Sequence, residues 1–231
     1  MKAVVLCGGL GTRLGLLTKD MPKPLLNVAG RPFIAHVLDR IVHPEITGLV
    51  LAAGFQWTKL RDYIGDNWNG LPVQYSVETE ALGTGGAIKK AFASISEQES
   101  LIVNGDTLFD IDILKFIHFA KGSNAVACLA LRQVEDCSRY GRVTTDKNGR
   151  IMSFGEKGHP GSGLINGGIY YLRNHALEEI SFKTFSFETS FLQEKYLKES
   201  IYGLPFEDYF VDIGIPDDLN RAQKELLALN K

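Results

Sequence analysis

The residues best suited to chemistry lie near the N-terminus, in the sequence LCGGLGTRL. Gly8, Gly9 and Gly11 follow an apolar run of strand length, Met1 to Leu6, which predicts a strand that ends in a glycine loop. Glycines permit positive φ and let several backbone N–H groups approach an anion, and Arg13 adds a permanent cation with a fork of donors. We therefore predict a phosphate-binding loop.

The spacing of this loop separates it from two common phosphate-binding motifs. The glycines follow a GGxG order with Arg13 after them, so the GxGxxG motif of dinucleotide folds is not completed, and no Gly-Lys-Ser/Thr follows as in a Walker loop. A tight turn after a buried strand would account for the glycines by themselves. The longer pattern, in which GGLGTRL precedes KDMPKPLL with Lys23 between two prolines, is much less expected by chance.

Two aspartates lie at predicted strand ends. Asp106 ends the sequence LIVNGD, and Asp212 lies in YFVDI. In open α/β sheets ligands bind beyond the carboxyl ends of the strands, where a short carboxylate can serve as an oxygen ligand for Mg²⁺. Either aspartate by itself could instead bond its own turn. Two of them, in a chain with a phosphate loop, favour a metal site.

The elements that must position these residues alternate between strand and helix. Helical spacing of apolar residues predicts a helix over 31–42, and Asn148-Gly149 predicts a hairpin turn. This alternation predicts an α/β fold with a Rossmann-like, mostly parallel central sheet flanked by helices. The further strands are predicted at 47–53, 73–77, 101–103, 125–131, 164–171 and 209–213, and the further helices at 57–64, 113–120, 187–197 and from 217 onward.

Composition narrows the classes of function. The 231 residues, 45% of them hydrophobic, suffice for one α/β domain, and a net charge of -2 provides no basic field for nucleic acid or an anionic membrane. The three cysteines lack the spacing of a disulfide framework or a zinc site. The N-terminus lacks the features of a signal peptide and no apolar run approaches the ~20 residues of a membrane span, so we expect a cytoplasmic protein.

Several motifs together carry a resemblance to a known family. After GGLGTRL and PKP, the motifs LGTGGA, NGD, FGEKG, INGGIYY and DIGIPDDL follow in order along nearly the whole chain. This set resembles the sugar-1-phosphate nucleotidyltransferases, which join a nucleoside triphosphate to a sugar 1-phosphate. The resemblance implies one nucleotidyltransferase domain over residues 1–231, Mg²⁺ as cofactor, and Asp106 and Asp212 as the residues that hold it.

The resemblance also assigns residues to the nucleotide. It implies a base-recognition loop at ETEALGTGG, where Gly83 and Gly85 would let the backbone approach the nucleoside. A carboxylate there can accept two hydrogen bonds from guanine, an arrangement that uracil lacks, and Glu78 and Glu80 are both placed to do so. The residues expected to bind the nucleotide are Leu6, Gly8, Gly9, Gly11, Thr12, Arg13, Glu78, Glu80, Gly83 and Thr84.

The expected reaction is an in-line attack of a sugar 1-phosphate oxygen on the α-phosphorus of the nucleotide, with release of pyrophosphate. The acceptor phosphate is already ionised at neutral pH, so charge neutralisation and positioning carry the catalysis and no general base is required. We expect Arg13 to hold the triphosphate, Lys23 to neutralise the α-phosphate and Asp106 to act through the metal. These three residues are the predicted catalytic residues.

For the acceptor, the resemblance points to the second half of the chain. In FGEKG, Lys157 is expected to contact the sugar phosphate and Glu156 the sugar hydroxyls. Asn166 and Gly167 in INGGIYY, and Gly141 in YGR, are expected to line the sugar. Without this family context, an exposed Glu-Lys pair would be an ordinary surface pair.

Within the family, the motifs most resemble the bacterial enzymes that transfer GMP from GTP to D-glycero-D-manno-heptose 1-phosphate, which makes GDP-heptose for surface polysaccharides such as capsule. A uridylyl- or cytidylyltransferase acting on a hexose or amino-sugar 1-phosphate stays an alternative, as does a non-catalytic subunit that senses nucleotide-sugars. A metal-dependent glycosyltransferase would use a DxD pair, which Asp110 and Asp112 provide. No nucleic-acid or membrane partner is expected, and a homo-oligomer stays open.

Overall fold

A computed structural model describes residues 1–9 and 12–229, with the backbone but not the side chains of residues 12, 13, 16 and 229. Gly11, which the sequence assigns to the phosphate loop, lies outside the described residues. For Thr12 and Arg13 the predicted contacts fall on side chains that are not described. Their backbone belongs to a 3₁₀ segment, Thr12–Thr18.

The centre of the fold is the predicted first strand, β1 (Lys2–Leu6). It pairs in parallel with β4 (Gly48–Ala53) on one side and with β7 (Glu99–Asn104) on the other. Beyond β4 lies β6 (Leu71–Val77), also parallel. Because helices cover both faces of such strands, they form nearly continuous apolar runs, and all six residues of β4 are buried.

The other half of the sheet is largely antiparallel. The long strand β12 (Gly163–Arg173) runs antiparallel to β7 and to β9 (Ala127–Val134), and β13 (Ile201–Phe206) pairs in parallel with β9. Ten of the described strands belong to this sheet. They include the three short strands β5 (Asn67–Trp68), β10 (Val143–Thr145) and β11 (Ile151–Phe154). Within the described ranges, four further strands form two small ladders outside this sheet, β2 (Asn27–Val28) with β3 (Arg31–Pro32) and β8 (Thr107–Phe109) with β14 (Phe210–Asp212).

Helices cover both faces of the sheet. One apolar cluster joins the sheet to Phe33, Leu60 and Ile117, and a second joins it to Ile88 and Phe191. The α/β fold with a large, mostly parallel central sheet flanked by helices is thus confirmed, whereas the antiparallel pairing of β12 with β7 and β9 was not predicted. The α-helices are α1 (Phe33–Ile41), α2 (Trp57–Ile64), α3 (Gly83–Phe92), α4 (Ile113–Gly122), α5 (Gln193–Lys195) and α6 (Pro216–Leu229).

The hairpin, the helix at 187–197 and the expected lack of a membrane span can each be compared with the structure. The hairpin around Asn148-Gly149 is confirmed, because β10 and β11 pair antiparallel across it. The helix predicted over 187–197 is instead a π-helical turn, Glu188–Leu192, followed by the short α5. In the described ranges, every helix is too short or too polar to cross a bilayer.

Candidate active site

Two aspartates far apart in sequence meet at the carboxyl end of β7. Asp106 follows β7 directly after Gly105, and Asp212 ends β14. The short antiparallel ladder of β8 and β14 pairs Thr107 with Asp212, and the Ile213 N–H donates to the Asp106 carbonyl at 3.1 Å. Backbone pairing therefore brings the two predicted metal ligands together.

Lys23 lies against both aspartates. It begins a 3₁₀ turn, Lys23–Leu25, between two prolines whose rings fix the backbone φ on either side of it. Its Nζ is 2.5 Å from Asp106 Oδ2 and 3.7 Å from Asp212 Oδ1, and its side chain is 13% exposed. Burial, together with the Asp106 carboxylate, raises the pKa of Asp212 above its ordinary value, whereas Lys23 opposes that rise. The cluster thus has two acidic groups and one ammonium, and a second cation would balance it.

The two aspartates suit a metal that shares its ligands with a phosphate. Within the described ranges, no group of three or more His, Cys, Asp or Glu side chains could hold a metal. Mg²⁺, however, is usually bound by one or two carboxylates together with substrate phosphates. Asp106 and Asp212 provide that donor set.

A pocket of about 470 Å³ opens at the carboxyl ends of β1, β4 and β6. It contains seven of the residues predicted to bind the nucleotide. Burial raises the pKa of the nearby Cys7 thiol, which agrees with a packing role for this residue. The residues that line the pocket are Leu6, Gly8, Gly9, Gly54, Phe55, Glu78, Thr79, Glu80, Ala81, Gly83, Thr84 and Ala87.

Glu78 and Glu80 occupy different environments in this pocket. Glu78 Oε2 accepts a hydrogen bond from the Leu82 N–H at 3.1 Å, and a Cβ on Gly8 would lie only 2.9 Å from its Oε1. Gly8 is therefore what allows this carboxylate to approach the glycine loop. Glu80 is exposed and forms an ion pair with Lys183, which lowers its pKa. Of the two carboxylates, Glu78 is thus the one held beside the glycine loop, whereas Glu80 pairs with Lys183.

The glycines of LGTGG serve packing within the protein. A Cβ on Gly83 would lie 2.5 Å from the Phe185 carbonyl oxygen, and one on Gly85 would lie 2.1 Å from the Phe185 ring. The missing side chains therefore admit the segment around Phe185. A side chain at Gly85 would point at this segment. The sequence instead suggested that Gly85 leaves room for the nucleoside. Gly83 also lines the pocket, so its contact with a nucleotide stays a prediction.

A second pocket, of about 350 Å³, lies on the antiparallel half of the sheet. Four of the five predicted acceptor residues line it, and the fifth, Glu156, is exposed and is not part of the described lining. Asp212 belongs both to this pocket and to the Lys23 cluster. The predicted residues in the lining are Gly141, Lys157, Asn166 and Gly167.

Sequence reasoning missed Glu188, which connects the two pockets. Thr84, from the first pocket, donates through Oγ1 to Glu188 Oε2 at 2.7 Å. Tyr170 donates to Glu188 Oε1 at 3.5 Å and accepts from Asn166 Nδ2 at 2.8 Å. The Thr84 hydroxyl, predicted to bind the nucleotide, is thus engaged by Glu188 and the Phe187 N–H. Glu188 begins the π-helical turn, a form often found at functional sites, but no motif in the sequence marks it.

The DxD pair has structural roles. Asp110 forms an ion pair with Arg40 at 2.9 Å. Asp112 caps α4 by accepting a hydrogen bond from the Lys115 N–H at 2.9 Å. Neither carboxylate belongs to the Lys23 cluster, which argues against the glycosyltransferase alternative.

Comparisons with known proteins agree along the length of the chain. A model described as "Nucleotidyl transferase" matches residues 2–228. The D-glycero-alpha-D-manno-heptose 1-phosphate guanylyltransferase of Aneurinibacillus thermoaerophilus is 41% identical over 229 residues, which cover 98% of both chains. The protein of the same name from Campylobacter jejuni is 41% identical over 219 residues, 94% of this chain and 96% of that protein. The crystal structure of HddC from Yersinia pseudotuberculosis complexed with GMP-PN has a TM-score of 0.85 and 32% identity, covering 97% of this chain and 99% of that chain.

Proposed function

The chain belongs to the nucleotidyl transferase family, as its motifs predict, and we propose that it transfers GMP from GTP to D-glycero-α-D-manno-heptose 1-phosphate. The observation that carries this proposal is the meeting of two pockets at one sheet edge. Leu6 lines the first pocket and its register partner Asn104 lines the second. Asp106, two residues after Asn104, lies with Lys23 at this junction.

The reaction we propose needs no covalent intermediate. An ionised oxygen of the acceptor phosphate forms a bond to the α-phosphorus of GTP, while the bond to the β-phosphate breaks and pyrophosphate leaves with the electron pair. Such transfers depend on positioning and on neutralising charge. The side chain of Lys23 is largely shielded from solvent beside the aspartates, at 13% exposure, where an ammonium can stabilise charge on the transferred phosphate. Lys157 would hold the incoming phosphate, and Arg13 with the amides of Gly8 and Gly9 would hold the leaving group.

A divalent metal ion fits the donor set at Asp106 and Asp212, and we propose Mg²⁺. When bound, the ion would supply further neutralisation of phosphate charge. The proximity of the two carboxylates supports this role, because the Asp106 carboxylate raises the pKa of Asp212 and a further cation beside them would reduce their repulsion. Lys23 Nζ faces the pair from one side and neutralises part of its charge.

Guanine is the base that Glu78 suits. A carboxylate accepts hydrogen bonds from the N1–H and amino group of guanine, whereas uracil lacks this pair of donors. Glu78 lines the pocket and one of its oxygens accepts a hydrogen bond from the Leu82 N–H.

We further propose that residues 1–231 form a single nucleotidyltransferase domain, which acts in the cytoplasm and provides GDP-heptose for surface polysaccharides.

A pyrophosphate-release screen tests the proposal. GTP, CTP, UTP and dTTP are each combined with Mg²⁺ and the 1-phosphates of D-glycero-α-D-manno-heptose, mannose, glucose and N-acetylglucosamine. We expect the highest kcat/KM for GTP with the heptose phosphate. A preference for a pyrimidine nucleotide would favour the uridylyl- or cytidylyltransferase alternative, and no release with any pair would favour the non-catalytic sensor.

A further inference from the structure

The pocket of about 350 Å³, which we call the acceptor pocket, contains an exposed cation besides Lys157 to which the sequence motifs assign no role. Arg142 lines the pocket together with Lys157, and the described residues offer neither side chain an ion pair. The acidic side chains of the same pocket are engaged elsewhere, Asp212 with Lys23 and Glu188 with Thr84. Two positive charges in this pocket are therefore available to a ligand.

Both cations come from the same end of one hairpin. Val143 at the start of β10 pairs with Phe154 at the end of β11, and the Gly155 N–H donates to the Arg142 carbonyl at 2.7 Å. Lys157 follows two residues after Gly155. Strand pairing therefore brings the backbones near Arg142 and Lys157 together, although the two residues are fifteen positions apart in the sequence, and both line the pocket.

The guanidinium of Arg142 packs against two glycines, Gly161 and Gly163. A Cβ on Gly163 would lie 2.8 Å from Arg142 Nε and 3.2 Å from its Cδ, and a Cβ on Gly161 would lie 3.1 Å from Nη2. The side chain thus lies against Gly161, just before β12, and Gly163, the first residue of β12, the strand that continues to Asn166 in the pocket. A side chain already held in place loses less conformational entropy when it binds a ligand.

We propose that Arg142 binds the phosphate of the acceptor together with Lys157. This inference rests on the proposed function. A sugar 1-phosphate carries nearly two negative charges at neutral pH, because its second pKa is about 6. The planar fork of an arginine matches phosphate oxygens, and a lysine adds a point charge. Two cations thus balance the dianion, and one lysine alone would leave half of its charge unpaired.

The main test replaces the cation by a side chain of similar length. In Arg142→Met we expect the KM for the heptose phosphate to rise about 10- to 100-fold, the loss typical of a hydrogen bond to a charged group. The KM for GTP should change less than about threefold, since Arg142 does not line the nucleotide pocket. Lys147→Met, an exposed cation in the turn of the same hairpin, is the matched control and should leave both constants unchanged.

A second variant moves the guanidinium but keeps its charge. In Gly163→Ala the new Cβ displaces Arg142 Nε, the end of a flexible side chain, and we expect an intermediate rise in the KM for the acceptor. In the Arg142→Met background the same change should add no further rise, because no guanidinium remains to be displaced. A Cβ on Gly163 would also lie 3.1 Å from Cys137 Sγ. An equal effect of Gly163→Ala in both backgrounds would therefore mean that it acts through Cys137 or the fold, and would count against the proposal.

The inhibition constant of mannose 1-phosphate separates phosphate from sugar recognition. It should rise in Arg142→Met as much as the KM for the heptose phosphate, because the phosphate is common to both. A rise confined to the heptose phosphate would assign Arg142 to sugar hydroxyls and overturn the proposal, as would a KM within twofold of the wild type. If the wild type releases no pyrophosphate, the proposed function fails. Calorimetry with mannose 1-phosphate then tests Arg142 directly, and equal or absent binding in the two proteins overturns the inference.

Discussion

The two pockets are built in different ways. The pocket proposed for the nucleotide lies on the parallel half of the sheet, and most of its lining comes from two short stretches, Leu6–Gly9 and Glu78–Ala87. The pocket proposed for the acceptor lies on the antiparallel half and is lined by residues from at least five separate segments. Local sequence therefore specifies much of the first pocket. The second depends on how distant segments pair.

The Lys23 cluster lies where the two pockets meet, and a change there should have the largest effect. In Lys23→Ala we expect kcat to fall about 10²- to 10³-fold, because one preorganised charge at a transferring phosphate is worth that much. Steady-state kinetics with each substrate varied should show the loss in kcat. Lys19→Ala, an exposed lysine nearby, is the control. A kcat within tenfold of the wild type would contradict the role of Lys23.

A change confined to the nucleotide pocket should affect one substrate. In Glu78→Gln we expect the KM for GTP to rise about 10- to 100-fold, because a carboxylate that accepts two hydrogen bonds becomes an amide. The KM for the acceptor should stay within about threefold. Glu80→Gln is the matched control and should have little effect, since Glu80 is exposed and paired with Lys183. A larger rise in the KM for GTP in Glu80→Gln than in Glu78→Gln would assign the base to Glu80 instead of Glu78.

Because Glu188 connects the two pockets, a change in the first pocket should also affect binding of the acceptor. In Thr84→Val the hydroxyl that donates to Glu188 is lost, and we expect the KM for the acceptor to rise about three- to tenfold as Glu188 moves. Thr84→Ser keeps the hydroxyl and should restore a value near the wild type. Kinetics in which GTP binding alone suffers would instead support the original prediction that Thr84 contacts the nucleotide.

The smallest expected effect concerns stability. In Gly85→Ala the new Cβ would overlap the Phe185 ring, and we expect the free energy of unfolding to fall by about 1–3 kcal/mol, the usual cost of overpacking. In Gly122→Ala, at the end of α4, nothing lies within 4 Å of the new Cβ, and we expect no loss. Urea denaturation measures both. Equal free energies of unfolding for Gly85→Ala and the wild type would contradict the close packing of Gly85 against Phe185.

Several features followed from the sequence because they depend on short stretches of chain. The apolar run of β1 and the glycines after it predicted a strand and a loop, and both Gly8 and Gly9 line the nucleotide pocket. The alternation of strand and helix predicted the fold class. The order of the motifs predicted the family. These properties depend on residue type and local spacing, which the sequence states directly.

The tertiary structure decided what depends on register and on contacts between distant segments. It joined Asp106 to Asp212 through the β8–β14 ladder, and it separated Glu78 from Glu80, although they lie two residues apart. It also set Glu188 against Thr84 and seated Arg142 over two glycines. No local spacing encodes such pairs, because strand pairing and side-chain packing fix them only when the whole core assembles.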